Sequence, residues 1–144
     1  MLGTLAKWLR IYGFDTSYAG PEMDDDEILN VSKNEGRILI TRDKNLINNA
    51  RRENIKNIKI TSTELDEQIK TTLKGKNIDK DKILSRCIIC NSLVQDIKKE
   101  DVKDRVPERI FKSTDKFWVC PKCQKIYWKG SHYENMIEKI NDLG

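Results

Sequence analysis

The spacing of apolar residues in the first half of the chain alternates between a helical period and strand-like runs. Leu2, Leu5, Leu9 and Tyr12 recur every three or four residues, which predicts an amphipathic helix over 2–12 that ends at Gly13. The same spacing predicts further helices over 24–34, 43–52 and 63–73.

The segments between these helices predict short strands over 14–19, 37–41 and 58–61. The run at 37–41 is continuously apolar in its centre, which is typical of a buried parallel strand. Strands that alternate with helices predict right-handed βαβ crossovers and a parallel sheet. We therefore expect an α/β domain over residues 1–73.

The second half of the chain has a different composition. Residues 74–85 are charged and weakly periodic, which predicts a linker with at most a short helical turn. Residues 86–144 hold all four cysteines and predict a second domain. Within it, the alternation at Ile110 and Lys112 and the run 117–119 predict a small antiparallel sheet, followed by a last helix over 132–142.

The charge of the chain permits a polyanionic partner but does not demand one. The 144 residues carry a net charge of +4, with an isoelectric point near 8.8. Attraction to phosphates would therefore need a local basic patch. No segment approaches the roughly 20 apolar residues that cross a membrane, and the start lacks the order of a signal peptide. We predict a cytoplasmic protein without a membrane partner.

Two Cys-x-x-Cys pairs, Cys87 with Cys90 and Cys120 with Cys123, carry the strongest chemical signal. The two-residue spacer lets both sulfurs of a pair reach one metal ion, and two pairs complete a tetrahedral shell of four thiolates. A closed shell of this kind predicts a structural Zn²⁺ site. Disulfides and a redox role are the alternatives, but nothing in the sequence indicates an oxidising compartment.

Acidic residues cluster at two predicted helix starts, Asp24 to Asp26 and Asp43. Both positions lie at the sheet edge where open α/β folds bind ligands, and converging carboxylates there can hold Mg²⁺ or Mn²⁺. The alternative is that these residues only cap their helices, and Asp24 with Glu27 has capping-box spacing, as has Thr63 with Asp66. Composition alone does not separate the two readings.

Several strings resemble, in order, the Mut-seven C-terminal RNase domain family. They are MLGTLAKWLRIYGFD at 1–15, EGRILITRD at 35–43, RCIICN at 86–91, VP at 106–107, FWVCPKC at 117–123 and IYWKGSHY at 126–133. The resemblance spans almost the whole chain and implies a PIN-like α/β domain joined to a C-terminal zinc ribbon. It also implies a nuclease that cuts single-stranded RNA by means of a few carboxylates and a divalent cation.

Carried over residue by residue, the resemblance implies that Asp43 is one catalytic acid and that Asp25 or its neighbour Asp26 is another. Arg37 and Arg42 would then lie near the path of the phosphates. Similar family members begin with a short strand that ends in a further Asp, whereas this chain begins at Met1. We expect the true start to lie upstream, with Met1 an internal methionine; a genuine truncation that weakens catalysis is the alternative.

Aromatic residues surround the second cysteine pair. Beside Lys125 and Lys129 they are suited to stack on unpaired bases while the lysines meet phosphates. The alternative is that a small zinc domain uses them as its core. We select Trp128, Lys129 and His132 as candidate RNA contacts, with His132 in the first turn of the last helix after an N-cap at Ser131.

These observations lead to one hypothesis and one alternative. The hypothesis is a metal-dependent ribonuclease in which Mg²⁺ or Mn²⁺ bound by the acidic residues activates water at the scissile phosphate. The alternative is a non-catalytic module that binds RNA or docks a protein through its zinc ribbon. The sequence does not determine the oligomeric state.

Overall fold

The computed structural model describes residues 2–143, so the expectation about Met1 lies outside the described residues. These residues divide into two compact units. The first comprises residues 2–6 and 17–77, and the second comprises residues 7–16 and 78–143. None of the helices in this part of the chain is long and apolar enough to cross a membrane. The domain bounds 1–73, 74–85 and 86–144 stay a prediction.

The first unit holds the parallel sheet and its helices, and the bounds run close to the predicted ones. The elements are α2 (Asp25–Asn34), β1 (Leu39–Thr41), α3 (Lys44–Arg52), β2 (Asn57–Lys59) and α4 (Leu65–Leu73). Helix α1 (Gly3–Ile11) precedes them and is divided between the units after Ala6.

Strands β1 and β2 pair in parallel, with Ile40 opposite Ile58, and α3 forms the crossover between them. A buried cluster joins α2, β1 and α3 through Leu29, Leu39 and Leu46. In such a parallel crossover the connecting helix follows the carboxyl end of the first strand, so α3 begins beside the end of β1.

Strand β1 begins at Leu39, two residues later than predicted, because Arg37 is used in a helix cap. Gly36 adopts a φ of 63°, and the Arg37 N–H donates to the Ser32 carbonyl at 2.9 Å. This is the Schellman arrangement that ends helices at a left-handed glycine. The predicted stop at Gly36 is confirmed.

The capping box predicted at Thr63 and Asp66 is wrong. Helix α4 begins at Leu65 with Glu64 as its N-cap, and that residue makes no side-chain cap bond. The turn is closed by Ser62 instead, whose hydroxyl accepts from the Glu64 N–H at 3.0 Å and whose carbonyl accepts from Gln68 Nε2 at 2.9 Å.

The second unit is built on a three-stranded antiparallel sheet. Its strands are β3 (Gln95–Ile97), β4 (Phe117–Val119) and β5 (Ile126–Tyr127), in that spatial order. Helices α5 (Glu108–Ser113) and α6 (Ser131–Leu143) and two short 3₁₀ turns (Lys80–Lys82 and Lys99–Val102) complete the unit. The first of these turns lies in the predicted linker, and α6 begins one residue before the predicted helix.

The strand interpretation of Ile110 and Lys112 is wrong, since both residues lie in helix α5. Pro107 precedes this helix, and its carbonyl accepts from the Phe111 N–H at 3.0 Å. Lys112 and Glu108 form an ion pair one turn apart at 3.0 Å. Proline at a helix start and an i,i+4 pair both favour a helix over a strand.

Residues 14–19 do not form the predicted strand either. The Thr16 N–H donates to Asn91 Oδ1 at 3.0 Å, and the Thr16 carbonyl accepts from Arg10 Nε at 2.8 Å. Because side chains occupy both backbone groups of Thr16, this residue makes no strand ladder. The predicted fold class is nevertheless confirmed, since the chain is a mixed α/β protein with a small parallel sheet, flanking helices and a C-terminal four-cysteine cluster.

Candidate metal centre and acidic edge

The first cysteine pair forms a tight turn that presents its sulfurs to one side. The Cys90 N–H points at Cys87 Sγ over 3.4 Å. The Asn91 N–H donates to the Cys87 carbonyl, and the Cys87 N–H donates to the Ser92 carbonyl, both at 2.9 Å. Asn91 closes the turn with a φ of 64°, a left-handed conformation that asparagine tolerates better than most residues.

The second pair repeats this turn. The Cys123 N–H points at Cys120 Sγ over 3.5 Å, and the Gln124 N–H donates to the Cys120 carbonyl at 2.9 Å. The Cys120 N–H donates to the Lys125 carbonyl at 3.0 Å, and Gln124 has a φ of 65°. Two unrelated sequence segments therefore fold into the same sulfur-presenting turn.

The two turns bring the sulfurs of all four cysteines within 4.8 Å of one another. Cys87 Sγ and Cys123 Sγ lie 3.7 Å apart, and all four thiols are free. A tetrahedral zinc ion with Zn–S bonds of about 2.3 Å needs sulfurs about 3.8 Å apart. The donor set therefore fits Zn²⁺, and four sulfurs leave no open position for catalysis. The predicted cysteines can hold a zinc ion.

Tyr127 on β5 supports this cluster from inside the unit. Its hydroxyl donates to Cys87 Sγ at 3.1 Å and accepts from the Ile88 N–H at 3.1 Å. Burial and the adjacent Cys87 raise the pKa of the Tyr127 hydroxyl, so it keeps its proton at neutral pH. Burial alone would raise the pKa of Cys87, but the Tyr127 hydroxyl and the neighbouring amides lower it to about 7 in the metal-free protein.

Two of the acidic residues, Asp24 and Asp43, act as helix caps, as one of the two sequence interpretations expected. Asp43 Oδ1 accepts from the Asn45 and Leu46 N–H groups at 2.8 and 3.2 Å. Asp24 Oδ1 accepts from the Glu27 N–H at 2.8 Å. Asp25 and Asp26 follow in the first turn of α2, and all four side chains are exposed. A cap uses one carboxylate oxygen, so capping does not by itself exclude metal binding.

Comparison with known proteins identifies the family to which this arrangement belongs. The family model described as Mut7-C RNAse domain matches residues 1–140. The chain belongs to the Mut7-C RNAse domain family. Searches of curated proteins and of solved structures each returned no match. Membership in an RNAse domain family indicates a nuclease-type function.

The predicted acidic residues of this Mut7-C chain do not form a preformed metal site with three or more ligands. Among residues 2–143, the four cysteines are the only group of three or more potential ligands whose donor atoms all lie within 4.8 Å of one another. Asp25, Asp26 and Asp43 as catalytic residues therefore stay a prediction. Of the two arginines, Arg42 adjoins Asp43, whereas Arg37 lies before β1 and pairs with Glu35 at 2.8 Å.

The predicted RNA contacts of the Mut7-C ribbon lie on different sides of one segment. Trp128 makes edge contacts with the rings of Phe117 at 6.3 Å and His132 at 6.0 Å. The Lys129 ammonium instead lies over the rings of Trp118 at 5.6 Å and Tyr133 at 4.9 Å. Trp128, Lys129 and His132 as nucleic-acid contacts stay a prediction.

Two residues of the Mut7-C metal centre were missed by sequence reasoning. Tyr127 was treated only as one of several aromatics, and its contact with Cys87 depends on the pairing of β4 and β5. Asn91 was passed over, although an asparagine directly after a Cys-x-x-Cys pair signals the left-handed position that closes the turn.

Proposed function

We propose that this chain is a metal-dependent ribonuclease that acts on single-stranded RNA, with Asp43 as a principal metal-binding acid. Family membership supports the reaction class, since the matched model is an RNAse domain that covers residues 1–140. The cysteine centre is structural in this proposal, because its four sulfurs fill a tetrahedral shell. The catalytic work then falls to the carboxylates of the first unit.

The observation that carries the proposal is the way in which Asp43 is held. This residue follows β1 by two positions and caps α3 with two backbone N–H bonds. Both bonds use Oδ1, and within residues 2–143 the Oδ2 atom makes no hydrogen bond. The cap fixes the carboxylate at the end of the strand, where α/β sheets bind ligands. An exposed, fixed carboxylate oxygen is a suitable ligand for Mg²⁺ or Mn²⁺.

Asp25 and Asp26 supply the second half of the proposed site. Capping of α2 is done by Asp24, so the carboxylates of Asp25 and Asp26 are not needed for it. Leu29 on α2 and Leu46 on α3 share one core cluster with Leu39 on β1. That packing supports a position for both helix starts at the same sheet edge.

A site with few protein ligands is compatible with the cations considered. Mg²⁺ dehydrates reluctantly and is commonly held by one or two carboxylates, with water and substrate phosphate completing its shell. The absence of a three-carboxylate group among residues 2–143 is therefore compatible with a site that is completed by the phosphate of the bound substrate. When bound, the cation would supply an activated water and neutralise charge on the scissile phosphate. Arg42, beside Asp43 in the chain, is the proposed partner of the flanking phosphate.

The experiment is hydrolysis of a labelled single-stranded RNA with Mn²⁺, comparing the unaltered chain with Asp43→Asn. Asparagine is as good an N-cap as aspartate, so the substitution preserves α3 and removes only the charge. We expect the rate to fall by about a hundredfold or more, the scale seen when a transition-state-stabilising group is removed.

Asp79→Asn is the matched control, because Asp79 also caps a helical turn, through a bond from the Asp81 N–H at 3.0 Å. It should cleave at the rate of the unaltered chain. Absence of Mn²⁺-dependent cleavage both in this chain and in a version extended by the expected upstream strand, or full activity in Asp43→Asn, would exclude the proposed reaction.

A second candidate function is a non-catalytic RNA-binding module, and one observation favours it. The ribbon carries several lysines over exposed or half-buried aromatic rings, among them Lys129 over Trp118 and Tyr133. Aromatic rings with adjacent cations are typical of surfaces that bind single-stranded nucleic acid. RNA binding without cleavage in the same assay would select this function.

A further inference from the structure

A cleft lies beside the metal centre, entirely within the second unit. Its volume is about 230 Å³. Apolar side chains form most of its wall, among them Leu84, Leu93 and Trp118, and Asp81, Ser85 and Lys129 add polar groups. Pockets for drug-sized ligands measure on the order of 300–1,000 Å³. The cleft is therefore large enough for one small group rather than for a whole cofactor.

The sheet register explains why an aromatic ring faces this cleft. Trp118 on β4 lies opposite Asp96 on β3 and opposite Tyr127 on β5. Residues directly opposite in an antiparallel sheet project from the same face. Both rings line the cleft, but Tyr127 is buried and contacts Cys87. Trp118 packs against the same cysteine cluster and stays half-buried, so the exposed part of its indole is the surface available for stacking.

Lysines surround the rings of this face. Lys116 and Lys129 lie 5.9 and 5.6 Å from the centre of the Trp118 ring. Lys125 lies 5.8 Å from the centre of the Tyr127 ring. All three lysines are exposed, and cation–π contacts at exposed sites are weak. Their ammonium groups can therefore leave the rings and contact a phosphate at a small cost in free energy. The face is therefore both aromatic and locally basic. Because the total charge of the chain is modest, any RNA-binding surface needs such a local basic patch.

Asp81 adds a group that distinguishes the base from the phosphate. It is exposed and lines the cleft together with Ser85. An ionised carboxylate only accepts hydrogen bonds. Nucleobase edges carry N–H donors, whereas phosphodiesters carry none and are repelled by a carboxylate. Asp81 thus favours a base in the cleft and leaves the phosphates to the lysines.

We propose that the Trp118 cleft binds one unpaired base of single-stranded RNA. The base stacks on the Trp118 indole, one of its N–H groups donates to Asp81, and the flanking phosphates lie against Lys116 and Lys129. This proposal rests on the proposed RNA substrate and adds the location at which that RNA is bound. It assigns the stacking role to Trp118, whereas the sequence pattern pointed to Trp128, which packs against Phe117 and His132.

The test measures binding of a fluorescent single-stranded RNA by anisotropy, with every variant also carrying Asp43→Asn so that cleavage does not consume the probe. Trp118→Leu keeps an apolar side chain and removes the stacking surface. We expect its Kd to rise about tenfold, within the range seen when a stacked aromatic is removed. The zinc content of each variant reports whether the ribbon is intact.

Phe111→Leu is the matched control, because Phe111 also has a lysine over its ring, Lys99 at 5.1 Å, but does not line the cleft. It should bind with the Kd of the parent chain. An unchanged Kd in zinc-loaded Trp118→Leu would overturn the proposal, and so would a loss found only in Trp128→Leu.

Two further variants separate base contact from general electrostatic attraction. Lys129→Gln should lower the slope of log Kd against log salt by about 0.7, one phosphate contact on a single strand, and Lys99→Gln should leave it unchanged. Asp81→Ala should weaken binding, because a base loses its acceptor. Tighter binding by Asp81→Ala would mean that Asp81 only repels phosphates, which would contradict the proposed orientation.

A photo-crosslink locates the base directly and keeps this proposal separate from the nuclease activity. RNA with a photoreactive pyrimidine should crosslink to the peptide that contains Trp118, and crosslinks confined to other peptides would overturn the assignment. If cleavage fails but the Trp118 effect and crosslink hold, only the ribonuclease proposal falls. If cleavage succeeds while Trp118→Leu binds normally, only the cleft proposal falls.

Discussion

The side-chain oxygen of Asn91 accepts a hydrogen bond from the backbone N–H of Thr16 at 3.0 Å, across 75 residues of sequence. The amide nitrogen of the same side chain donates to Asp15 Oδ1 at 2.7 Å. Arg10 reinforces the connection with bonds to the carbonyls of Ile88 at 2.8 Å and Ile89 at 3.2 Å. The first cysteine turn is therefore tied to the segment that follows helix α1 within the second unit.

The backbone of Asn91 closes the first cysteine turn, and its side chain bonds Asp15 and Thr16. One substitution separates these two roles. Asn91→Gly keeps the left-handed φ but removes both side-chain bonds. Because the Thr16 N–H then loses its partner, we expect the unfolding free energy to fall by about 1–2 kcal/mol, with zinc still bound stoichiometrically. Thermal unfolding with a zinc assay measures both.

Gln124→Gly is the matched control for that variant. Gln124 holds the equivalent position in the second turn, but within residues 2–143 its side chain makes only a local bond to the Pro121 carbonyl at 3.1 Å. It should therefore lower stability less than Asn91→Gly. Equal losses in the two variants would contradict the role assigned to the tie.

Removal of zinc should unfold the metal centre and release the segment tied to it. Structural zinc sites contribute on the order of 10–16 kcal/mol of apparent binding free energy, so a small ribbon has little to replace the metal. After chelation under reducing conditions, the amides of Asn91, Gln124 and Thr16 should lose protection in hydrogen exchange. The Ile60 amide, which bonds the Thr41 carbonyl of the first unit at 2.9 Å, should keep its protection. Continued protection at Thr16 would contradict the coupling.

Tyr127→Phe should weaken zinc binding without removing a ligand. The substitution deletes the hydroxyl that donates to Cys87 Sγ and leaves the Ile88 N–H without its acceptor. Groups that hydrogen-bond to metal ligands are worth about tenfold or more in affinity, and we expect a loss of about tenfold in competition with a chelator. Tyr133→Phe is the control, since Tyr133 contacts Lys129 and not a cysteine. An unchanged affinity in Tyr127→Phe would show that the hydroxyl does not support the site.

Position 13 requires glycine for two reasons: the backbone conformation there and the lack of room for a side chain. Its φ is 95°, and a Cβ atom there would lie 2.6 Å from the Lys82 carbonyl oxygen. Gly36 also has a positive φ, 63°, but a Cβ atom at that position meets nothing within 4 Å. Gly36→Ala should therefore cost about 1–2 kcal/mol of strain, and Gly13→Ala about 2–5 kcal/mol, because a backbone clash is added. Similar melting temperatures for the two variants would contradict the close approach of Lys82.

The agreement between pattern and structure is best where the relevant contacts are local. Helices α2 and α3 begin where their capping aspartates predicted, because an N-cap bond joins residues two or three positions apart. Agreement fails at residues 14–19, where the sequence predicted a strand but the side chains of Arg10 and Asn91 occupy the backbone groups of Thr16. It fails again at Ile110, where alternation over a few residues did not distinguish a short helix from a strand.

The sequence by itself determined the four cysteines that can hold a zinc ion, the alternation of helices and strands, and the family, because each depends on residue types at fixed short spacings. Only the tertiary structure decided that Tyr127 supports the sulfur of Cys87, that Asn91 holds Thr16, and that Trp118 rather than Trp128 lines the cleft. Those relationships arise from strand register and from contacts between distant segments. No local pattern of residues encodes them, because the energy of such a contact depends on what the rest of the fold brings alongside.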